Sequence, residues 1–277
     1  MKYQTKMRFV FFILLFACSR SYAAQVDTVI TFSKVMGKEI KAVVIKPDSC
    51  STSRGCPVVY LLHGYGGNYG AWINNVPAIK KMVDEGGFMV VCPDGGFGSW
   101  YWNSPIDAQF QYETYVSQEL VAWVDKTYST IADKKGRGIT GLSMGGHGAL
   151  YLAIKHPDVF GAAGSQSGGV DIRPFPNNWD MAKRLGPYWE QKERWENHTV
   201  INLLHLIKPN ELEIIIDCGT EDFFYQVNQN LHQEMLYRNI KHDYIVRPGA
   251  HNWDYWRNSI SAQLLFMRNF FERELTL

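Results

Sequence analysis

Apolar and polar positions alternate with a period of two over residues 26–32 and again over 40–46, as in strands with one face in the core and one in solvent. The next runs differ. Residues 58–62, 88–92 and 212–216 are almost continuously apolar, the mark of strands covered on both faces. Residues 137–140 and 243–246 are weaker strand candidates. Helical spacing marks residues 76–85, 113–126, 148–155, 224–239 and 258–275. Strands alternating with helices at this spacing predict an α/β fold: a mostly parallel central sheet, helices on both faces, and the opening antiparallel pair at one edge. An irregular insertion at 168–210, after the sixth strand, interrupts the rhythm. It is rich in Pro, Trp and charge and includes Trp179, Trp189 and Trp195. Segments of this kind are lids or substrate walls, or else structural excursions packing their own tryptophans.

Composition narrows the functional classes. The chain has 277 residues, with 28 Lys+Arg against 27 Asp+Glu, so no basic field exists to attract nucleic acid. Apolar residues at 46% suffice for one sizeable core. Lys2, Lys6 and Arg8 precede an apolar run at 9–17 that is too short to span a bilayer, and Ser21-Tyr22-Ala23 supplies the small residues of a cleavage site. This predicts a signal peptide over 1–23, a single catalytic domain over 24–277, and export to the periplasm or the exterior. Lipidation at Cys18 is the competing reading, because Leu15-Phe16-Ala17-Cys18 is similar to a lipobox. No second apolar segment is long enough for a transmembrane span. Cys50 and Cys56 are candidates for a small disulfide, whereas Cys92 and Cys218 read as buried thiols. The composition leaves the oligomeric state open.

The candidate chemistry begins at Gly141-Leu142-Ser143-Met144-Gly145, a G-x-S-x-G run between a strand and a helix. A sharp strand-to-helix turn lifts the serine hydroxyl clear of the sheet and leaves the next backbone N–H free to hold an anion. A serine nucleophile needs a base whose pKa lies near working pH, hence a histidine. Of eight histidines, only His251 follows the last strand within a loop, on the face where open parallel sheets form their sites. His147, one helical turn past Ser143, reads as a packing residue. An acid to orient the base is expected after the strand at 212–216. There Asp222 leads, and Asp217 is the reserve. His63-Gly64-Tyr65-Gly66-Gly67 follows the third strand, so the backbone amides of Tyr65 and Met144 are the expected oxyanion donors. No metal and no organic cofactor are called for. Trp100 and Tyr101, with Trp102, follow the fourth strand and are candidates for the substrate wall.

These segments recur together in one family. Leu61-Leu62-His63-Gly64, Pro93-Asp94-Gly95-Gly96 with Ser99-Trp100-Tyr101, the Gly141–Gly146 segment, Asp217-Cys218-Gly219-Thr220-Glu221-Asp222 and Gly249-Ala250-His251-Asn252-Trp253 resemble the esterase D family of α/β-hydrolases. That family holds tributyrin esterases, S-formylglutathione hydrolases, feruloyl esterases and mycolyltransferases. The resemblance spans residues 26–271, and the insertion is most similar to the tributyrin-esterase branch. It implies an α/β-hydrolase fold with Ser143, Asp222 and His251 as triad and Tyr65 and Met144 as oxyanion donors. The expected function is a secreted serine carboxylesterase acting on a small-molecule or oligosaccharide ester, with short acyl, acetyl or feruloyl groups. The alternatives are an acyltransferase of the mycolyltransferase type and a catalytically silent binding module.

Overall fold

The computed structural model describes residues 24–50 and 55–276. The predicted signal peptide and Cys18 lie outside the described residues. Eight strands form one sheet: β1 (Gln25–Ser33), β2 (Lys38–Lys46), β3 (Val58–Leu62), β4 (Met89–Pro93), β5 (Arg137–Gly141), β6 (Ala162–Gln166), β7 (Glu213–Gly219) and β8 (Asp243–Arg247). Their spatial order is β1-β2-β4-β3-β5-β6-β7-β8. The β1–β2 and β2–β4 pairs are antiparallel and the remaining pairs parallel. This is the α/β-hydrolase architecture.

Alternation along the buried strands divides the core in two. Val58, Tyr60 and Leu62 of β3 join one cluster, and Val59 and Leu61 join the other. The helices are α1 (Ala71–Asn75), α2 (Ile79–Gly86), α3 (Tyr112–Thr114), α4 (Val121–Thr127), α5 (Met144–Lys155), α6 (Met181–Leu185), α7 (Lys192–Asn197), α8 (Tyr225–Tyr237) and α9 (Trp253–Thr276). Residues of α1, α2 and α9 cover the Val59 face, and those of α3, α4, α5 and α8 the Val58 face. Among the described residues, no helix is long and apolar enough to cross a membrane.

The departures from the sequence pattern have local causes. The helix expected over 76–85 begins only at Ile79 as α2, with α1 ending before it at Asn75, because Pro77 forces Val76 out of helical geometry (φ −121°, ψ 84°). Helix α5 starts at Met144 instead of residue 148, since Gly145, Gly146 and Gly148 lower helix propensity but fit where no side chain does. A Cβ on Gly148 would lie 2.4 Å from the Tyr101 ring. Strand β6 reads Ala-Ala-Gly-Ser-Gln and carries no apolar run to mark it, yet it is wholly buried. The 168–210 segment holds α6, α7 and a 3-10 turn (Val200–Leu206). Trp195 is its buried anchor and donates to the Gly186 carbonyl at 2.9 Å. Cys50 and Cys56 are joined as a disulfide, and Cys92 and Cys218 are buried free thiols.

A buried ionic cluster fastens the far end of α5. Glu113 on α3 contacts Lys155 at 2.8 Å, His156 at 3.1 Å and the Tyr151 hydroxyl at 3.1 Å. Burial alone would raise its carboxyl pKa, but hydrogen bonds and charge from His156 and Lys155 outweigh that and hold it at about 2. A depressed carboxylate contributes stability above its unfolded pKa and loses it as pH falls through the folded value. Glu113→Gln is therefore expected to lower unfolding stability by about 1.5–3 kcal/mol at pH 7. The difference from wild type should shrink steadily between pH 4.5 and about 2 in urea titrations.

Candidate active site

Ser143 sits at the junction of β5 and α5 with φ 54° and ψ −117°, a backbone conformation that side-chain-bearing residues rarely adopt. Its neighbours make the turn feasible. A Cβ on Gly145 would lie 2.5 Å from the Leu62 carbonyl oxygen, and one on Gly141 would lie 2.6 Å from the Gly145 carbonyl oxygen. The Ser143 amide donates to the Gln166 carbonyl at 2.8 Å, which ties the turn to the end of β6. As the first residue of α5, Met144 has an amide with no intrahelical partner.

The structure brings the expected base and acid to this serine. His251 Nε2 lies 2.9 Å from Ser143 Oγ, and its Nδ1 lies 2.8 Å and 3.0 Å from the two Asp222 oxygens. With Asp222 as the acceptor, Nδ1 carries the proton and Nε2 is free to accept from the serine. Asp222 is buried and also accepts from the Phe224 amide at 2.8 Å, which fixes its carboxylate. Phe223, Phe224 and Trp256 surround the imidazole, with ring centroids 4.1, 5.4 and 4.9 Å away. Asp217, the reserve candidate, is engaged elsewhere. It points from β7 to the Tyr255 hydroxyl and Arg247 (β8), and burial raises its pKa. Tyr255 packs against Gly249, so Asp217 braces the loop that carries His251.

Two further histidines support the site without entering it. His63 Nδ1 donates to the Gly64 carbonyl at 2.8 Å, and its Nε2 accepts from the Gly95 amide at 2.7 Å. The loops after β3 and β4 are thereby pinned together. Gly64 approaches the serine so closely that a Cβ there would lie 3.3 Å from Ser143 Cβ. This sets the turn after β3 directly against Leu142 and Ser143. His147 is buried, bonded to the Gly169 carbonyl at 2.9 Å and to Trp102 Nε1 at 2.8 Å. Burial pushes its pKa down to about 3, so it stays neutral as a packing residue.

A cleft of about 560 Å³ opens over Ser143. Its lining includes the aromatic rings of Tyr65, Trp179, Phe223, Trp253 and Trp256 and the side chains of Asn68 and Asn74. Trp100 and Tyr101, expected at the substrate, do not line it. Both are buried, at 1% and 0% exposed. They turn inward because the left-handed backbone at each (φ 56° and 62°) directs the side chains into the core beneath the cleft. There Trp100 Nε1 donates to the Trp179 carbonyl at 3.0 Å, and the Tyr101 hydroxyl donates to the His63 carbonyl at 3.0 Å. They hold the wall residues in place. Sequence reasoning missed Phe223 as a wall residue. Its signal in the sequence was adjacency to Asp222, and the structure leaves its large apolar side chain 52% exposed. Among the described residues, no group of three or more His, Cys, Asp or Glu side chains could hold a metal ion.

Comparison with known proteins agrees with this architecture. A family model described as "Esterase" matches residues 33–267. Esterase Rv1288 of Mycobacterium tuberculosis (strain ATCC 25618 / H37Rv) is 35% identical over 133 residues, 47% of this chain. That match spans only 29% of the relative, so the chain covers less than a third of that protein's length. The diacylglycerol acyltransferase/mycolyltransferase Ag85B of Mycolicibacterium smegmatis is 27% identical over 271 residues, covering 84% of this chain and 81% of the relative. A solved ferulic acid esterase superposes with a TM-score of 0.78 at 26% identity, covering 90% of this chain and 99% of that one. With a family match over most of its length and this fold around the serine turn, the chain belongs to the esterase D family of α/β-hydrolases.

Proposed function

We propose that this esterase is an exported serine carboxylesterase that hydrolyses acyl esters of small carbohydrates through an acyl-enzyme. The observation that carries the reading is the unbroken relay Ser143–His251–Asp222, with contacts of 2.9 and 2.8 Å. In this mechanism His251 Nε2 takes the Ser143 proton as Oγ attacks the ester carbonyl. Asp222 stabilises the imidazolium that forms. The oxyanion rests on the Tyr65 and Met144 amides, and His251 then protonates the departing alcohol. A water molecule, activated by the same histidine, releases the acid and restores the serine.

The two kinds of lining residue suggest how the ester lies. Trp179 and Phe223 stack at 5.6 Å with an interplanar angle of 19°, a flat apolar surface suited to an aromatic acyl group such as feruloyl. Asn68 and Asn74 offer amide groups to a hydroxylated alcohol. An acyltransferase is the second reading. It is favoured by the 27% identical mycolyltransferase relative and by a cleft open enough to admit an alcohol acceptor in place of water.

Ser143→Ala is expected to abolish acid release from paired acetyl and feruloyl esters of one sugar, a loss of about three or more orders of magnitude in kcat. Turnover equal to wild type would leave the silent-module reading. Adding an alcohol acceptor and analysing products separates the transferase from the hydrolase.

Asp222→Asn should lower kcat by about 10⁴-fold, because the amide no longer favours the required imidazole tautomer. Asp217→Asn should act mainly on stability. Comparable kcat losses in the two variants would overturn the assignment of the acid.

Trp179→Ala is expected to raise KM for the feruloyl ester about tenfold, the effect of losing one aromatic contact. KM for the acetyl ester should stay within about twofold. A parallel rise for both esters would place the acyl group elsewhere.

A further inference from the structure

Ala24 immediately precedes β1 and is only 6% exposed. Its side chain belongs to the apolar cluster that includes Val43, Ile45, Val83 and Phe88. Its backbone nitrogen lies 2.7 Å from Asp84 Oδ2. Asp84 stands in the last turn of α2, where the carbonyl end of the helix disfavours negative charge. Among the described residues, no Lys, Arg or His side chain pairs with it, and nearby Lys81 faces Glu85 at 3.6 Å. A carboxylate in this unfavourable position is thus aimed at one backbone nitrogen. That nitrogen belongs to the residue after Ser21-Tyr22-Ala23, which carries small side chains where a leader peptidase reads them.

We propose that Asp84 is the built-in counter-ion of the α-ammonium group that hydrolysis of the Ala23–Ala24 bond, the cleavage site expected from the sequence, would create. Water adds across the peptide bond. The leader leaves with a carboxylate on Ala23, and the Ala24 nitrogen takes up protons to become an ammonium at neutral pH. The neutral hydrogen bond from the amide becomes a charge-assisted one, roughly twice as strong. The positive end now faces the carboxylate that the helix terminus disfavours. A chain anchored through Cys18 would keep a neutral amide at Ala24 and leave Asp84 without a cation. This inference is independent of the reaction at Ser143.

The test uses the full chain with its own leader, expressed in a Gram-negative host. Intact mass and N-terminal sequencing of the exported protein should show a start at Ala24. A start at any other residue, or lipid on Cys18, would overturn the processing site. In the purified product, Asp84→Asn should lower Tm by about 2–4 °C. The same substitution is then made in a chain with Gly-Ser inserted after Ala23, which moves the ammonium two residues from the carboxylate. There the loss should be less than half as large. Equal losses in both backgrounds would show that Asp84 serves the amide alone and would overturn the counter-ion role.

Discussion

The strained turn at Ser143 is the constraint around which the site is built. A non-glycine residue at φ 54° and ψ −117° costs on the order of 1–3 kcal/mol, and it persists only where the surroundings leave no alternative. Those surroundings are specific. Gly141 and Gly145 let β5, α5 and the Leu62 carbonyl meet at distances no side chain could share. Gln166 holds the serine amide from the neighbouring strand, and its own side-chain oxygen accepts from Ser259 on α9. The turn is thus gripped from β3, β6 and α9 together, and the far end of α5 is clamped by Glu113.

Rigidity of this kind extends to the histidines. Three of them stand near the serine, and the protein treats each differently. His63 and His147 have both ring nitrogens bonded to backbone or to Trp102, and burial lowers their pKa. They act as neutral rivets between loops. His251 alone has one nitrogen directed at a serine hydroxyl and the other at a carboxylate, on a loop reached by the cleft. A residue type suited to proton transfer becomes structural when both nitrogens are engaged by the fold, and it stays available for proton transfer when one faces a hydroxyl at a cleft.

Much of this was legible in the chain, and the exceptions share a cause. Ser143, His251 and Asp222 each follow a strand, so topology puts them at one end of the sheet, and of these three residues singled out in the sequence, His251 lies within hydrogen-bond distance of the other two. Asp217 lies in the same segment as Asp222, and only the alternation of β7 decides that it faces Tyr255 and Arg247 instead of His251. The sixth strand was counted before the insertion but given no residues, because pattern reading detects bulk, whereas β6 is buried beneath closely packed elements and needs small residues. Gly164 has no room for a Cβ, which would sit 2.0 Å from Gln263 Oε1. Trp100 and Tyr101 were placed in the correct loop but on the wrong side of it, since their orientation depends on two left-handed residues in succession. Backbone sign at single residues is tertiary information that neither periodicity nor composition carries.

Their actual position explains how the insertion can serve the cleft. The Trp179 ring is a wall of the site, yet the segment bearing it has only short helices and no strand to fix it. Its anchorage comes from below and from the side. Trp100 bonds its carbonyl and packs at 6.1 Å, and Phe175, Phe223 and Phe224 surround its ring. The Tyr65 hydroxyl donates to Asp180, the next residue, at 3.3 Å. The segment proposed to bind the oxyanion and the wall proposed to bind the acyl group are therefore joined by one hydrogen bond, next to a residue held at φ 48°. A group that shifts Trp179 on entering the cleft would strain the hydrogen bond between Asp180 and Tyr65. On the proposed roles of these two segments, acyl recognition and transition-state stabilisation would be coupled through that bond. Substitutions in the insertion would then act on kcat as well as on KM.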